Sequence, residues 1–297
     1  MLQIQLITLY CTICHRYDTK LWVIVQRLSN NCRPQFTDQE VITAFLWGII
    51  QRQPDVKAIY TYIRSHWLEW FPALPGYQAF VRRLNALGPV LEAFSSELAE
   101  LLTQAGLPST NYVVDSAPIM LAKGHYADHA KVARQFCSKT YNASRKEWYY
   151  GTKLHIVGLL QPGTIPIPQI VRITPATMHD ITALKQIIRD IPPTCGGCLY
   201  GDKAYRDDTW QQELWDQYHI QLKFPRMRPK RLVETIVSSD TVSSHMSRIR
   251  QPIESFFHWL QEKTRIQLAS KVRSAQGLFI HVFGRLAAAL IAVSLSF

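Results

Sequence analysis

A short apolar run that ends on a carboxylate is the feature of this chain that most restricts its fold. Residues 199–200 form the end of this run, and Gly201 and Asp202 follow at once. A buried strand that carries an acidic side chain at its carboxyl end has this pattern, and ligand sites of open α/β sheets lie at that edge. A second β-branched run, residues 112–114, ends on Asp115. The sequence therefore predicts two strand ends that each present a carboxylate.

A third acid, Glu254, lies near the start of a predicted helix. Pro252 is expected in the first turn of this helix, where its missing N–H is harmless. Arg250 precedes Glu254 by four residues on the same helix face and is predicted to orient its carboxylate or to contact a phosphate. Glu254 lies at the edge of a buried stripe with helical spacing. The stripe consists of Ile253, Phe256, Phe257 and Leu260.

The three acids are far apart along the chain, so only the fold can bring them together. Divalent ions such as Mg²⁺ prefer oxygen ligands. A pair of such ions can activate the attacking oxygen and stabilise the leaving oxygen of a phosphodiester. We therefore predict that Asp115, Asp202 and Glu254 are catalytic residues and the ligands of two ions, Mg²⁺ or Mn²⁺. The alternative for any single acid is an ordinary solvated surface charge.

Helical patterns fill residues 1–110 and predict an all-α N-terminal domain. Apolar spacing predicts a helix over 21–28, and Thr37 with Glu40 predicts a capping box at the start of another. The short helices and the pair Arg82-Arg83 fit a DNA-binding domain of the helix-turn-helix type, with both arginines as DNA contacts. The charge of this part is nearly balanced, so an ordinary helical bundle is an equal alternative.

Strands and helices alternate in residues 111–297, which predicts a second domain of α/β type with a mixed sheet. The last helix, predicted over 274–295, overlaps an apolar run, 286–297, of only 12 residues. Spanning a bilayer takes about 20 residues, so we expect a buried helix and no membrane association. Six cysteines are too few for a disulfide scaffold in 297 residues, and they indicate a cytoplasmic protein.

The positive charge lies almost entirely in the second part of the chain. Residues 111–297 carry ten of the eleven net positive charges, which indicates a polyanionic partner and most simply nucleic acid. General solubility is the alternative explanation. A basic run near residues 226–231, together with Lys203 and Arg250, is predicted to contact DNA. The basic residues of that run are Arg226, Arg228, Lys230 and Arg231.

Five segments occur in an order that resembles the catalytic domain of DDE-type transposases from small bacterial insertion sequences. They are Asp115-Ser-Ala-Pro, Tyr150-Gly-Thr-Lys153-Leu-His155, Thr177-Met-His179-Asp180, Gly201-Asp202-Lys203-Ala-Tyr205 and Arg250-Gln-Pro-Ile-Glu254. The resemblance covers roughly residues 111–265. It implies a ribonuclease-H-like mixed sheet flanked by helices and metal ligation by the three acids. It also implies hydrolysis and strand transfer at the terminal inverted repeats of an element.

The partners implied by this resemblance are double-stranded DNA, both element ends and target, and a second copy of the chain, because two ends must be joined. The expected location is the cytoplasm, in association with the nucleoid. Many relatives carry a tyrosine and a lysine where this chain has Ser247 and Gln261, although Lys263 lies nearby. Two alternatives stay open: an inactive or domesticated DNA-binding derivative, and a metal-dependent nuclease that does not transpose. The intact acid triad speaks against the first.

Overall fold

The computed structural model describes residues 2–27, 34–143, 145–189, 196–225 and 241–294, with the backbone alone for 241–244. The helices in these residues are α1 (Leu2–Thr19), α2 (Asp38–Ile50), α3 (Val56–His66), α4 (Tyr77–Ala86), α5 (Gly88–Ala105), α6 (Tyr126–His129), α7 (Asp180–Ile188), α8 (Asp208–Tyr218), α9 (Thr241–Thr264) and α10 (Ala275–Ser294). The strands are β1 (Asn111–Lys123), β2 (Ser138–Asn142), β3 (Glu147–Leu159), β4 (Ile167–Pro175), β5 (Gly197–Tyr200) and β6 (Ile220–Lys223).

The chain forms two compact units. Unit 1 comprises Met1–Glu100, Ala130–Arg134 and Leu260–Phe297, and unit 2 comprises Leu101–His129 and Gln135–Trp259. The C-terminal helix α10 thus belongs to the same unit as the N-terminal helices. One boundary along the chain therefore cannot separate the two units. A domain boundary at residue 110 stays a prediction.

Unit 1 begins with a helix that the sequence reading did not predict. The buried side chains of α1 are spaced along one face: Leu6, Leu9, Ile13 and Tyr17. The helix predicted over 21–28 was wrong for the described residues 21–27, where the one helical element is a 3₁₀ turn, Leu21–Val23. Leu21 is buried, but Trp22 and Ile24 face solvent, so the apolar spacing in this stretch does not reflect a buried face.

Helix α2 begins with the predicted capping box. The Thr37 hydroxyl accepts a hydrogen bond from the Glu40 N–H at 3.3 Å, and the Glu40 carboxylate accepts one from the Thr37 N–H at 2.7 Å. The first residue of α2, Asp38, is buried and is bound by the guanidinium groups of Arg83 and Arg27. An ion pair of this kind satisfies a charge that burial would otherwise destabilise.

The ion pair with Asp38 changes the interpretation of one arginine. Arg83 binds both oxygens of the Asp38 carboxylate and its side chain is largely covered, whereas Arg82 is exposed. The internal ion pair accounts for Arg83 without any DNA contact. We therefore retain only Arg82 of this pair as a proposed contact.

Helix α10 is a buried helix of unit 1, which confirms the prediction for the C-terminal apolar run up to Ile291. It packs against α2 and α4. Among the described residues, it is the one helix long and apolar enough to span a membrane by length and composition, with a mean hydropathy of 1.8; 67% of its apolar window is buried in the structure. Buried core helices of soluble proteins share these properties.

Unit 2 is built on a mixed sheet, which confirms the predicted fold class. The strand order is β2-β3-β1-β5-β6, and β4 also pairs with β3. Strand β3 is antiparallel to its neighbours β1, β2 and β4, whereas β1, β5 and β6 are mutually parallel. The core of α7, α8 and the parallel strands includes Val114, Leu184, Leu199 and Leu214. This arrangement is a ribonuclease-H-like sheet flanked by helices.

Two strands differ from the sequence prediction. Strand β1 runs to Lys123 rather than ending at Val114, and it passes through Pro118. Proline is tolerated on an edge strand, and β1 pairs with β5 only up to Val113, so this part of β1 has one open edge. Strand β2 was not predicted; it pairs with the first residues of β3.

Helix α9 begins earlier than predicted, and Pro252 consequently lies in its interior rather than in its first turn. An interior proline removes one helical hydrogen bond and costs about 3 kcal/mol. Burying a large apolar side chain contributes about 1.5–3 kcal/mol. The buried stripe of α9, with four such side chains, outweighs this cost. It consists of Ile253, Phe256, Phe257 and Leu260.

Candidate active site

The pairing of β1 with β5 sets the two aspartates side by side. Val113 of β1 is the register partner of Tyr200 of β5. Asp115 and Asp202 each follow this last pair by two residues. Because the two strands are parallel, both side chains emerge at the same edge of the sheet, where ligand sites of such sheets lie.

Backbone amides fix one oxygen of each aspartate. The Ser116 N–H donates to Asp115 Oδ1 at 2.8 Å, and the Ala204 N–H donates to Asp202 Oδ1 at 2.7 Å. Asp202 is the N-cap of a 3₁₀ turn, Lys203–Tyr205, so the Gly201-Asp202 segment is fixed as soon as the chain leaves β5. Each carboxylate is held by the main chain and directs its second oxygen elsewhere.

Helix α9 supplies the third acid and a cation. Arg250 Nη2 lies 4.0 Å from Asp115 Oδ2 and 3.6 Å from Glu254 Oε1. Arg250 is largely covered, whereas the Glu254 side chain is 61% exposed and can reorient at little cost. The Nε of Arg250 is buried without a hydrogen-bond partner. Arg250 therefore lies between Asp115 and Glu254, and its Nε–H is a hydrogen-bond donor that is not yet used.

The carboxyl of Asp115 is buried and lies within electrostatic reach of the other two acids. Burial raises its pKa to about 6, and the charges of Asp202 and Glu254 act in the same direction. The Ser116 N–H and the Arg250 guanidinium oppose this rise. The three acids are thus close enough to interact electrostatically, and one guanidinium does not neutralise them.

Ser116, the residue after Asp115 on β1, belongs to a polar network at this edge of the sheet. Asp180 Oδ1 accepts hydrogen bonds from Ser116 Oγ and from Lys153 Nζ, both at 3.1 Å. His155 is fully buried, its Nε2 lies 2.8 Å from Thr174 Oγ1, and burial lowers its pKa to about 4. His155 is therefore neutral at physiological pH.

Three residues of the motifs quoted above were not predicted to have a role at the site: Ser116, Lys153 and Tyr205. Tyr205 is buried behind the aspartates. Burial, followed by the charges of Asp115, Asp180 and Asp202, raises its pKa well above the usual value. For two of them, the spacing from the acids was a signal in the sequence: Ser116 directly follows Asp115, and Tyr205 follows Asp202 by three residues.

The chemistry of this acid cluster fits a divalent cation. It offers carboxylate oxygens, the donors that Mg²⁺ and Mn²⁺ prefer. Within the described residues, no three His, Cys, Asp or Glu side chains are already close enough together to hold a metal ion. Closing a ligand set would therefore require a side-chain movement, for which the exposed Glu254 is suited.

The other predicted DNA contacts are only partly described. Lys203 follows Asp202 and is exposed, and Arg82 is exposed in unit 1. Four predicted contacts lie outside the described residues: Arg226, Arg228, Lys230 and Arg231.

One comparison with known proteins is informative. Residues 110–291, more than half of the chain, match the model of a family described as "Transposase DDE domain". The matched range includes all three acids and Arg250. No curated protein matches the chain.

Proposed function

Because this chain belongs to the family of transposases with a DDE domain, we propose that it cuts DNA at the terminal inverted repeats of an insertion sequence and joins the cut ends to target DNA. The observation that carries the proposal is that Asp115 and Asp202 follow paired residues of two parallel strands, while Arg250 lies between Asp115 and Glu254. Carboxylates placed in this way suit metal-assisted chemistry on phosphodiesters.

Two divalent ions, Mg²⁺ or Mn²⁺, are the proposed cofactors, and Asp115, Asp202 and Glu254 would hold them. When bound, such ions activate the attacking oxygen and stabilise the leaving oxygen. The backbone amides of Ser116 and Ala204 would keep the aspartates oriented throughout the reaction.

The chain's cations would hold the substrate. Arg250 has a buried Nε without a partner and would stabilise the negative charge of a bound phosphate, while exposed Lys203 would contact the DNA backbone. In hydrolysis, a water oxygen forms a bond to phosphorus, the P–O3′ bond breaks, and the released 3′ oxygen takes a proton. In strand transfer, this 3′ hydroxyl attacks a target phosphodiester and another 3′ oxygen leaves.

The joining of two ends requires two active sites to act together, so we propose a homodimer in the DNA complex. The basic second part of the chain suits association with the nucleoid in the cytoplasm. The basic residues of 226–231 are proposed to contact the DNA near the site.

The substitution Glu254→Gln tests the proposal. An amide is a poor ligand for a hard cation, so cleavage of a DNA fragment carrying the flanking inverted repeats should fall roughly 10³-fold or more, about 4 kcal/mol of barrier. DNA binding should persist. Glu262→Gln is a matched control, because Glu262 also lies on α9 and is 55% exposed; this variant should retain activity.

Cleavage, joining and binding should be measured on one preparation, with Mg²⁺ and with a chelator. Cleavage by Glu254→Gln at the wild-type rate would exclude Glu254 as a metal ligand. Binding without cleavage by the wild-type protein would favour an inactive derivative. Cleavage of fragments with or without the repeats, and no joined product, would favour a nuclease that does not transpose.

A further inference from the structure

The hairpin of β2 and the start of β3, called the aromatic hairpin below (residues 138–149), presents two large rings to solvent. Tyr141 and Trp148 are register partners, so both point to the same face of the hairpin. Their ring centroids are 5.4 Å apart at an interplanar angle of 59°. The exposed fractions are 48% and 51%. Together they form a continuous aromatic surface rather than two isolated exposed side chains.

Positive charge lies beside this aromatic surface. Lys139, two residues before Tyr141, forms an ion pair with Asp128 and places its Nζ 4.7 Å from the centre of the Trp148 ring, a cation–π contact. Arg145 and Lys146 are exposed at the turn. The hairpin contains one acid, Glu147, against three basic residues. The surface therefore combines stacking groups with positive charge.

Nucleic acid is the partner that this combination fits, and the unpaired form fits better than the duplex. Proteins that bind single strands combine a positive track for phosphates with aromatic side chains on which bases stack. A duplex keeps the faces of its bases buried against each other, so exposed rings gain little from it. A second copy of this chain is a weaker candidate for this surface, because in the absence of DNA the net charge of +11 makes free copies repel.

The same hairpin also lines a cleft that leads toward the candidate active site. This cleft of about 360 Å³ is lined by Thr140, Tyr141 and Tyr149 of the hairpin, among other residues, and extends to Ser116, the residue after Asp115. On β3, Trp148 lies eight residues before Ile156, the register partner of Asp115. At about 3.3 Å per residue this is roughly 26 Å along the sheet. A strand engaged at Asp115 could reach the hairpin within about eight nucleotides.

We propose that the aromatic hairpin is a binding site for unpaired DNA, with bases stacked on Tyr141 and Trp148 and phosphates held by Arg145 and Lys146. The proposal rests on the proposed function for the identity of the substrate. It adds a contact site for a separated strand that is remote from the acids.

The test uses the full chain with Glu254→Gln as background, so that binding is measured without cleavage. The probes are a labelled mixed-sequence 20-nucleotide single strand and its duplex, followed by fluorescence anisotropy. Trp148→Ala and Tyr141→Ala should each weaken single-strand binding about 5- to 100-fold and change duplex binding by less than about twofold. Trp148→Phe retains a stacking ring and should bind nearly as well as the parent, which shows that the fold is intact.

Trp215→Ala is the matched control. Trp215 is 50% exposed and lies in the same unit, but α8 carries Asp208, Glu213 and Asp216 and no basic residue. Its removal should leave single-strand binding unchanged.

Four results would overturn the proposal. They are unchanged single-strand binding in both alanine variants, an equal loss of duplex and single-strand binding, an equal loss in Trp215→Ala, or loss of a dimer with single-strand binding preserved. Each readout is independent of cleavage, so a wild-type protein that failed to cleave DNA would refute the proposed function without deciding this one.

Discussion

Replacing Asp115 by asparagine should make the protein more stable at neutral and alkaline pH while it abolishes activity. The folded-state pKa of this carboxyl is about 6, against 3.8 in the absence of its surroundings. The folded state therefore binds the Asp115 proton more tightly than the unfolded state does. The protonated carboxyl makes its full contribution to the free energy of unfolding below about pH 4, and this contribution is lost as the pH rises to about 6. A difference of about two pH units corresponds to about 3 kcal/mol.

Asparagine has nearly the same size, its Oδ1 can still accept the Ser116 N–H, and it carries no charge at any of these pH values. The free energy of unfolding of Asp115→Asn should therefore exceed that of the wild type by up to about 3 kcal/mol at pH 8 and should match it near pH 4. The measurement is urea unfolding at pH 4 to 8 with a chelator present.

Mg²⁺ provides a second arm of the same experiment. An ion bound to the folded state at one hundred times its dissociation constant stabilises by about 2.7 kcal/mol, so Mg²⁺ should raise the stability of the wild type and reduce its difference from Asp115→Asn.

Asp207→Asn is a control in which the change in stability should have the opposite sign. Hydrogen bonds from Lys185 and the Trp210 N–H lower the pKa of Asp207, and its replacement should destabilise at pH 8. An Asp115→Asn protein that is no more stable than the wild type at pH 8 would refute the reasoning.

Two further predictions concern strand β5, which precedes Asp202, and the basic run 226–231. A Cβ at Gly197 would lie 1.9 Å from the Thr110 carbonyl oxygen, whereas one at the neighbouring Gly196 would meet only ordinary contacts of 3.5 Å or more; thermal unfolding should show Gly197→Ala destabilised by about 1–3 kcal/mol or more and Gly196→Ala close to the wild type. Replacing the four basic residues of the run 226–231 by alanine should weaken duplex binding and flatten its dependence on salt, because fewer counterions are released; an unchanged salt slope would show that the run does not contact DNA. The four are Arg226, Arg228, Lys230 and Arg231.

Local patterns in the sequence determined those features that depend on neighbouring residues. The capping box of Thr37 and Glu40 formed as predicted, because its groups lie within one helical turn. The strand end before Asp202 was visible because an apolar run followed by an acid is a local signal, whereas β1 continues past Asp115 to Lys123. The mixed α/β class followed from the alternation of such segments.

Other features were decided by partners that are distant in sequence. β1 continues through Pro118 because its residues pair with β3 from Tyr112 to Lys123, with one register shift between Met120 and Ala122. β2 forms because β3 offers it an edge to pair with. Pro252 lies inside α9, where burial of the helix face outweighs the missing hydrogen bond. Such effects depend on tertiary packing, which local propensity does not encode.

The same distinction applies to the charged residues. Composition identified Arg82 and Arg83 as a pair, but only the structure shows that Arg83 is held by Asp38, 45 residues away. It also shows Arg250 between Asp115 and Glu254. The sequence by itself determined which residue types stand at the ends of strands and helices. Which of those charges face one another was decided by the tertiary structure, because Coulomb interactions depend on distance in space rather than along the chain.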